Sequence, residues 1–208
     1  MTLKNILIVG LVLVSTLSCS SDKLNVSIDS VKIGTKFIRL DSIIANCDSS
    51  GIIDFNNKFK NEIEEIYNYQ IGYCLRIGEI SDTAFVNSIN QFNNDKGIIG
   101  IHKSIEEKFA DVSNNKSEIT KGLKHLKVHF PKNKIPDNIV FMNSLFNYNA
   151  FSTENEIGIG LERYLGHENE MVQKLPSEPF YDWIKKAMDV TYIERDAICS
   201  WIITHYVP

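Results

Sequence analysis

Apolar residues recur every three or four positions through the first half of the chain, a spacing typical of amphipathic helices. In one such segment Phe55 and Phe59 fall on the same helical face. The pattern predicts four helices, over Asp54–Ile71, Ser81–Phe92, Ile101–Val112 and Lys116–Pro131. Polar residues at their starts give the expected N-caps, which are Ser81 or Asp82 for the second helix and Ser117 for the fourth.

Strand-like patterns flank these helices. Residues Val26–Leu40 alternate apolar and polar positions around Gly34, which predicts two short half-buried strands or a hairpin. Asp137–Gly166 is rich in β-branched and aromatic residues and predicts two or three strands joined by tight turns. Two more helices are predicted after it, over Glu178–Met188 and Tyr192–Tyr206. The element order predicts an α+β fold in which N-terminal helices surround a small, mostly antiparallel sheet.

The first residues have the pattern of a bacterial lipoprotein signal. Lys4 precedes an apolar run, Ile6–Leu17, whose 12 residues are too few for a helix to cross a hydrocarbon core of roughly 30 Å. Ser18 and then Cys19 follow, so we expect cleavage before Cys19 and acylation of that residue. Ordinary secretion with a structural cysteine is the alternative. The expected organisation is a signal peptide over residues 1–18, a tether over 19–25 and one domain over 26–208.

The charge and glycine patterns argue against nucleic acid and nucleotide partners. The formal net charge is −4, and the sequence has no basic stripe with interleaved aromatic residues. Gly158 and Gly160 look like the start of a dinucleotide-binding turn, but Arg163 stands where the third glycine is needed. We therefore expect neither nucleic acid nor a nucleotide among the partners.

The sequence has no intact catalytic motif. His167 and Glu168 begin an H-E-x-x-H pattern, but Met171 occupies the position of the second zinc ligand. His125 and His129 lie four residues apart on a predicted helix and are weak candidates for metal ligands. The alternative for this pair is two partly exposed side chains at a basic helix end. We predict no cofactor and favour a non-catalytic protein, with enzymatic activity left open.

The three cysteines after Cys19 give no framework of their own. Cys47, Cys74 and Cys199 have neither CxxC spacing nor a histidine at metal-ligand distance. One disulfide is compatible with an oxidising envelope, and a free, buried thiol is the favoured state of at least one of them.

One part of the chain, His129–Gly166, resembles the gliding-motility lipoprotein GldB family of Bacteroidetes. The resemblance lies in the motifs FP…IP, FNYNAF and IGIGLERYLG, and residues 169–208 look like the continuation of the family. The family form of the third motif is close to IGIGLDMYLG, so Glu162 replaces an aspartate and Arg163 an apolar residue. Family members usually extend further, and we expect this chain to be a C-terminally shortened member.

The resemblance implies a lipoprotein of the cell envelope, anchored by acyl chains such as palmitate to the inner or outer membrane and facing the periplasm. Its expected role is to support gliding motility, and the secretion machinery linked to it, through contacts with other envelope or motility proteins. The family is also similar to zinc metallopeptidases, which implies a degenerate zincin-like fold that has lost its zinc. Two alternative functions are a divergent zinc metallopeptidase and a periplasmic binding module in which FNYNAF lines an aromatic groove.

The strand motif indicates where a partner could make contact. Its apolar side chains point to one side, while its glycines leave the other side bare. That side could receive a partner peptide by strand addition or, in the interpretation we favour, pack on a neighbouring element. The candidate contact surface comprises Asn147, Tyr148, Gly158, Gly160, Arg163 and Tyr164. For Asn147, Tyr148, Arg163 and Tyr164, the alternative to a contact with a partner is a structural role in a turn or in the core.

Overall fold

The computed structural model describes residues 26–78 and 84–207. The expected signal peptide, Cys19, the tether and the N-cap expected at Ser81 or Asp82 lie outside these residues. The chain divides into a short unit, residues 1–30, and a main unit, residues 31–208, which holds every helix and strand that the structure describes. None of the described helices is both long enough and apolar enough to cross a lipid bilayer.

Most of the described chain is helical. The helices are α1 (Leu40–Asn46), α2 (Ser49–Glu62), α3 (Glu64–Asn68), α4 (Phe85–Asn93), α5 (Lys96–Lys108), α6 (Ser113–His129), α7 (Glu170–Gln173), α8 (Asp182–Lys186) and α9 (Ile193–His205). A π-helical segment, Tyr69–Cys74, continues α3, and 3₁₀ turns cover Leu161–Tyr164 and Val190–Tyr192. Helices occur in all six segments predicted to be helical, and the α+β class is confirmed.

Four described strands form one mixed sheet. They are β1 (Lys36–Arg39), β2 (Asn138–Met142), β3 (Ala150–Ser152) and β4 (Glu156–Gly160), in the spatial order β1-β2-β4-β3. Strand β2 runs parallel to both β1 and β4, whereas β3 and β4 pair antiparallel. The expectation of a mostly antiparallel sheet is therefore wrong. The helices between β1 and β2 return the chain to the same end of the sheet, as a parallel pair requires.

The predicted strand pair in Val26–Leu40 is also wrong. One described strand, β1, forms there, and Leu40 already begins α1. Strand β1 pairs with β2, so that Phe37 lies opposite Ile139. The alternation of apolar residues identified a strand correctly but could not reveal that its partner lies far along the chain.

Aspartate side chains start several helices earlier than predicted, and α2 and α6 are two examples. The Asp48 carboxylate accepts a hydrogen bond from the Gly51 amide at 2.8 Å, and α2 begins at the intervening Ser49. The Asp111 carboxylate accepts from the Ser113 amide, also at 2.8 Å. Because such a carboxylate satisfies an amide that the first helical turn leaves unpaired, α6 begins before Ser117. The prediction of Ser117 as its N-cap is wrong.

The sheet separates two apolar clusters. On β2, Ile139 and Phe141 belong to the cluster that contains residues of α5, α6 and α9. Val140 and Met142 belong to the other cluster, which contains residues of α1 to α4. The alternation of side chains along a strand thus gives helices to both faces of the sheet and makes the sheet the middle layer.

The two glycines of β4 face the second cluster, where other segments of the chain occupy the space of the missing side chains. A Cβ atom at Gly158 would lie 2.8 Å from the Phe151 ring. A Cβ atom at Gly160 would lie 2.3 Å from the Tyr148 carbonyl oxygen and 2.6 Å from the Ser144 hydroxyl oxygen. The bare side of the strand motif is therefore filled by the chain itself.

We expect Gly160→Ala to lower the free energy of unfolding by at least about 2 kcal/mol, because the atom nearest to the new methyl group is a backbone oxygen that cannot rotate away. Urea denaturation of the full chain measures this loss. Gly72→Ala is the control, because no atom beyond its own helical backbone and chain neighbours lies within 4 Å of a Cβ atom built at that position. Equal destabilisation by the two substitutions would contradict the prediction.

Candidate functional site

The carboxyl ends of three parallel strands meet at one edge of the sheet. Strand β1 ends at Arg39, β2 at Met142 and β4 at Gly160. Polar residues follow directly, with Asn143 and Ser144 after β2 and Glu162 shortly after β4. In sheets with parallel strands this edge is where binding sites are most often found.

A buried carboxyl group organises this edge. Glu162 is 0% exposed. Its side-chain oxygens accept hydrogen bonds from the Ser144 amide at 3.0 Å and from the Phe146 amide at 2.9 Å, and the Ser144 hydroxyl makes a third, short contact. The backbone amides of Ser144 and Phe146, in the loop that follows β2, therefore find their hydrogen-bond acceptors in the Glu162 carboxyl group.

This loop, residues 143–149, adopts an uncommon backbone conformation. Leu145 and Phe146 have φ angles of 53° and 63°, which place two successive side-chain-bearing residues in the left-handed region. The Ser144 oxygen accepts from the Tyr148 amide at 3.1 Å, and the Asn147 side chain donates to the Ser144 carbonyl at 2.7 Å. Strained residues of this kind persist where surrounding contacts fix them, and Glu162 supplies such contacts here.

Burial dominates the electrostatics of Glu162. Removal from water raises the pKa of its carboxyl group to about 7, even though the hydrogen bonds from Ser144 and Phe146 favour the ionised form. Glu162 is completely enclosed, so it cannot touch a ligand directly. Its role in this geometry is to hold the 143–149 loop in place.

Unpaired polar atoms surround the same loop. Among the described residues, three buried side-chain atoms near the loop have no hydrogen-bond partner: Asn143 Nδ2, Gln70 Oε1 and Arg163 Nε. Arg163 stands 5.4 Å from the centre of the Phe180 ring, and its Nη1 makes a long hydrogen bond of 3.4 Å to the Phe146 carbonyl. Most buried polar groups in native proteins are paired, so this group of exceptions marks the edge as a candidate functional site.

Tyr148 of the loop joins three rings from other elements in an aromatic surface, which we call the aromatic patch and define as Tyr69, Tyr73, Tyr148 and Phe151. The rings of Tyr69 and Tyr73 stack with centroids 5.0 Å apart, and Tyr69 lies 4.7 Å from Phe151 and 5.5 Å from Tyr148. Tyr73 is 55% exposed, whereas the other three rings are half-buried. The patch is therefore fixed from beneath and open to solvent at Tyr73.

The structure divides the predicted contact residues into two groups. Asn147 is exposed, and Tyr148 and Arg163 are half-buried. The other three, Gly158, Gly160 and Tyr164, are buried, and the Tyr164 hydroxyl donates to Asp196 at 3.0 Å. The surface that remains accessible lies on the loop and on Arg163.

Strand β4 has no free edge for a partner peptide. It pairs with β2 on one side and with β3 on the other. Strand addition would need an unpaired edge, so it cannot occur at the strand motif in this fold. The glycines pack against Phe151 and the Tyr148 backbone instead.

The weak metal-ligand candidates lie on α6. The rings of His125 and His129 are nearly parallel, with centroids 6.3 Å apart. In the described part of the chain, no group of three or more histidine, cysteine, aspartate or glutamate residues is arranged to hold a metal ion. These two histidines therefore have no third ligand among the described residues.

The three described cysteines are free thiols. Cys74 is buried, and burial raises its pKa to about 12. Cys47 is half-buried and Cys199 is exposed. The disulfide left open by the sequence does not form among Cys47, Cys74 and Cys199.

Comparison with known families decides the assignment. A family model described as gliding motility protein GldB matches residues 21–208. The chain belongs to the GldB family. Membership implies that the protein is involved in gliding motility. It also implies a location in the cell envelope and interaction with motility or envelope proteins. No curated protein matches the chain and no solved structure does, so the zincin-like architecture stays a prediction.

Sequence reasoning named the GldB signature strand but missed the residues that give the site its form. The burial of Glu162 has a visible signal in the sequence: the acid stands between the apolar Leu161 and the largely apolar Tyr164 and Leu165. Tyr69 and Tyr73 lie four residues apart on a helical segment, a spacing that places two rings together. Their packing against FNYNAF depends on tertiary structure.

For this GldB protein we expect a pH-dependent stability that Glu162→Gln abolishes. The folded-state pKa of Glu162, about 7, is higher than the usual value of a glutamate. The protonated carboxyl group therefore contributes stability that is fully present below about pH 4 and is lost as the pH rises through 7. The wild-type free energy of unfolding should fall by on the order of 2–3 kcal/mol more than that of Glu162→Gln between about pH 5 and pH 8.

Urea denaturation at several pH values measures this difference, and Glu168→Gln, at an exposed carboxylate, is the control. Glu156 has a pKa that burial also raises, but it is present in every variant and cancels in the comparison. Parallel pH profiles for wild type and Glu162→Gln would show that the buried carboxyl group does not titrate in this range.

Proposed function

We propose that this protein is a membrane-anchored envelope lipoprotein, acylated at Cys19, that supports gliding motility and the linked secretion machinery through protein contacts. The contact surface is the aromatic patch together with Asn147 and Arg163. The main unit carries this surface, and the tether over residues 19–25 joins the folded domain to the lipid anchor at Cys19.

The aromatic patch is the observation that carries the contact proposal. Protein interfaces are enriched in tyrosine and arginine, which bring large apolar area with a polar end. Tyr73, at 55% exposure, is the most accessible ring of the patch, Asn147 is an exposed polar residue next to Tyr148 on the 143–149 loop, and Arg163 is half-buried and contacts the same loop at the Phe146 carbonyl. A surface of this composition fits a protein partner.

Preorganisation strengthens this proposal. The 143–149 loop is fixed by Glu162, and the ring of Tyr148 is held against Tyr69 and Phe151. A partner that binds a surface already in its bound shape loses less conformational entropy on binding. The buried carboxyl group thus supports affinity without touching the partner.

The anchor proposal depends on the chemistry of Cys19. A single acyl chain gives weak and reversible membrane binding, whereas several chains at about 0.8 kcal/mol per buried methylene hold a protein stably. Acylation on the sulfur and the amine of Cys19 would supply several chains. The motility role then requires the anchored form, because partners in the envelope meet the protein at the membrane.

Complementation of a gene deletion in the native bacterium tests both parts of the proposal. We expect wild type to restore colony spreading and to incorporate a labelled palmitate analogue, and Cys19→Ser to do neither. Tyr73→Ser should incorporate the label at normal protein levels but reduce spreading. Tyr181→Ser is the matched control, because Tyr181 is 48% exposed and lies outside the patch.

Unchanged spreading in the deletion strain would refute a motility role for this protein. Full rescue by Cys19→Ser would refute the need for an anchor. Full rescue by Tyr73→Ser, at protein levels equal to those of Tyr181→Ser, would show that the aromatic patch is not the contact surface.

The aromatic patch also favours a second candidate, a periplasmic module that binds an envelope polymer. Two of its rings, Tyr148 and Phe151, come from FNYNAF, and exposed tyrosine rings can stack on the apolar face of a sugar. Sedimentation of the full chain with purified envelope polysaccharide distinguishes the two candidates. Binding that Tyr73→Ser abolishes would support the polymer, and crosslinking to an envelope protein at Tyr73 would support the protein partner.

A further inference from the structure

A polar cavity of about 410 Å³ opens at the carboxyl end of β1 and shares no residue with the aromatic patch. It lies between α1 and α5, with Asn93 from the end of α4 at its wall. Its volume falls within the range of small-molecule sites, about 300–1,000 Å³. The polar groups that converge on it are those of Arg39, Asp41, Ser42, Asn93 and His102.

Arg39 is held rigidly at this cavity. Its Nε and Nη2 atoms donate to the two carboxylate oxygens of Asp41 at 2.8 and 2.7 Å, and Nη1 donates to the Phe109 carbonyl at 2.8 Å. The Asp41 side chain is 3% exposed, so the pair is fixed within the protein. A guanidinium group has five N–H donors, and two remain for a ligand after these three contacts.

His102 adds an unused donor and an unused acceptor. Its ring lies 5.9 Å from that of Phe92. Within the described part of the chain, neither ring nitrogen has a hydrogen-bond partner. Burial lowers the pKa of His102, although the nearby Asp41 charge opposes this effect. A neutral imidazole donates from one nitrogen and accepts at the other.

Asn93 contributes an orphan acceptor. Its side-chain nitrogen donates to the Ile44 carbonyl at 2.6 Å, while its side-chain oxygen is buried without a partner. A buried acceptor without a donor is unfavourable, so a hydroxyl group that reached the Asn93 oxygen through the cavity wall would remove this cost.

The charges around the cavity balance. Arg39 is compensated by Asp41, and the lining contains one further cation, Lys103, and one further anion, Glu106. Ile99, which is 50% exposed, contributes apolar surface at the opening, and the lining also includes Ala45, Ile105, Phe109 and Ala110. The cavity therefore suits a ligand without net charge that has several donors and acceptors and one apolar side.

We infer that this cavity binds a neutral sugar unit, of monosaccharide or disaccharide size. Sugar hydroxyls both donate and accept, which matches the free Arg39 donors and the His102 nitrogens. The C–H face of a pyranose ring would lie on Ile99. A simple anion would meet a guanidinium that Asp41 already neutralises, and a simple cation would lie beside Arg39.

Saturation-transfer NMR on the full chain tests the inference directly. The protein is kept in a detergent without a sugar headgroup and titrated with methyl α-D-glucopyranoside, N-acetyl-D-glucosamine and maltose. We expect saturable binding of at least one of these probes with a dissociation constant on the order of 1 mM. Citrate and putrescine, as an anion and a cation of small size, should not bind.

Two variants assign the binding to this cavity. His102→Phe keeps a ring next to Phe92 but removes both nitrogens, and Ile99→Trp narrows the opening from an exposed position. Each should weaken the binding of the sugar at least tenfold. His129→Phe is the matched control on the surface of α6 and should leave binding unchanged, and thermal unfolding checks that each variant is folded.

The inference is overturned if none of the three sugars shows saturable transfer, or if citrate or putrescine binds more tightly than the sugars. It is also overturned if folded His102→Phe and Ile99→Trp both bind as wild type does. An equal loss in His129→Phe would place the binding elsewhere and would overturn the assignment to this cavity.

Discussion

The approach of the 143–149 loop to the bare face of Gly160 determines the geometry of the functional edge. The Tyr148 carbonyl and the Ser144 hydroxyl occupy the space of the missing side chain. Because they lie so close to the strand, the first residues of the loop turn into the left-handed region at Leu145 and Phe146. The amides of this turn point inward, where water cannot satisfy them, and Glu162 is the acceptor that they meet. The bare glycine and the buried acceptor therefore both support the same loop conformation.

The same approach connects the interior to the surface. Once the loop is fixed, Tyr148 is placed against Tyr69 of the π-helical segment and Phe151 of β3. Phe151 in turn fills the space at Gly158. The two glycines of the motif therefore support one continuous structure, from the centre of the sheet to the aromatic patch. Burying Glu162 has an electrostatic cost, but its hydrogen bonds hold the loop in one conformation. An apolar side chain at this position would leave the amides of Ser144 and Phe146 unpaired.

Much of the fold follows from local patterns in the sequence. On α9, the apolar residues Ile193, Ala197 and Trp201 are spaced at four-residue intervals, and the face that carries them is buried. Asp137–Gly166, predicted to form two or three strands, forms three. Pairing did not follow, because alternation shows which side of a strand is buried but not which strand lies beside it. The parallel pairing of β1 and β2 spans six described helices, and no local residue pattern encodes it.

The candidate site was also predictable only where local sequence patterns determine it. Tyr148 and Arg163 were named from the motif and lie at the accessible edge, whereas Tyr69 and Tyr73 join them only through tertiary packing. The polar cavity brings together Arg39, Asn93 and His102 from three separate elements. A strand end, a helix end and a helix interior carry no common sequence signal, so this cavity could be found only in the folded chain.

Glu162 and Arg163 are adjacent residues after the carboxyl end of β4, and burial acts against the charged form of each. Glu162 reaches beneath the loop to the amides of Ser144 and Phe146, and these hydrogen bonds favour its ionised form without restoring the usual pKa of a carboxyl group. Burial also lowers the pKa of Arg163, while the charge of Glu162 raises it. The ionised acid therefore favours the charged form of Arg163 in a region where that charge alone would be costly. Loss of the Glu162 charge would remove this support, so the electrostatics of the partly accessible Arg163 depend on a carboxyl group that is itself enclosed.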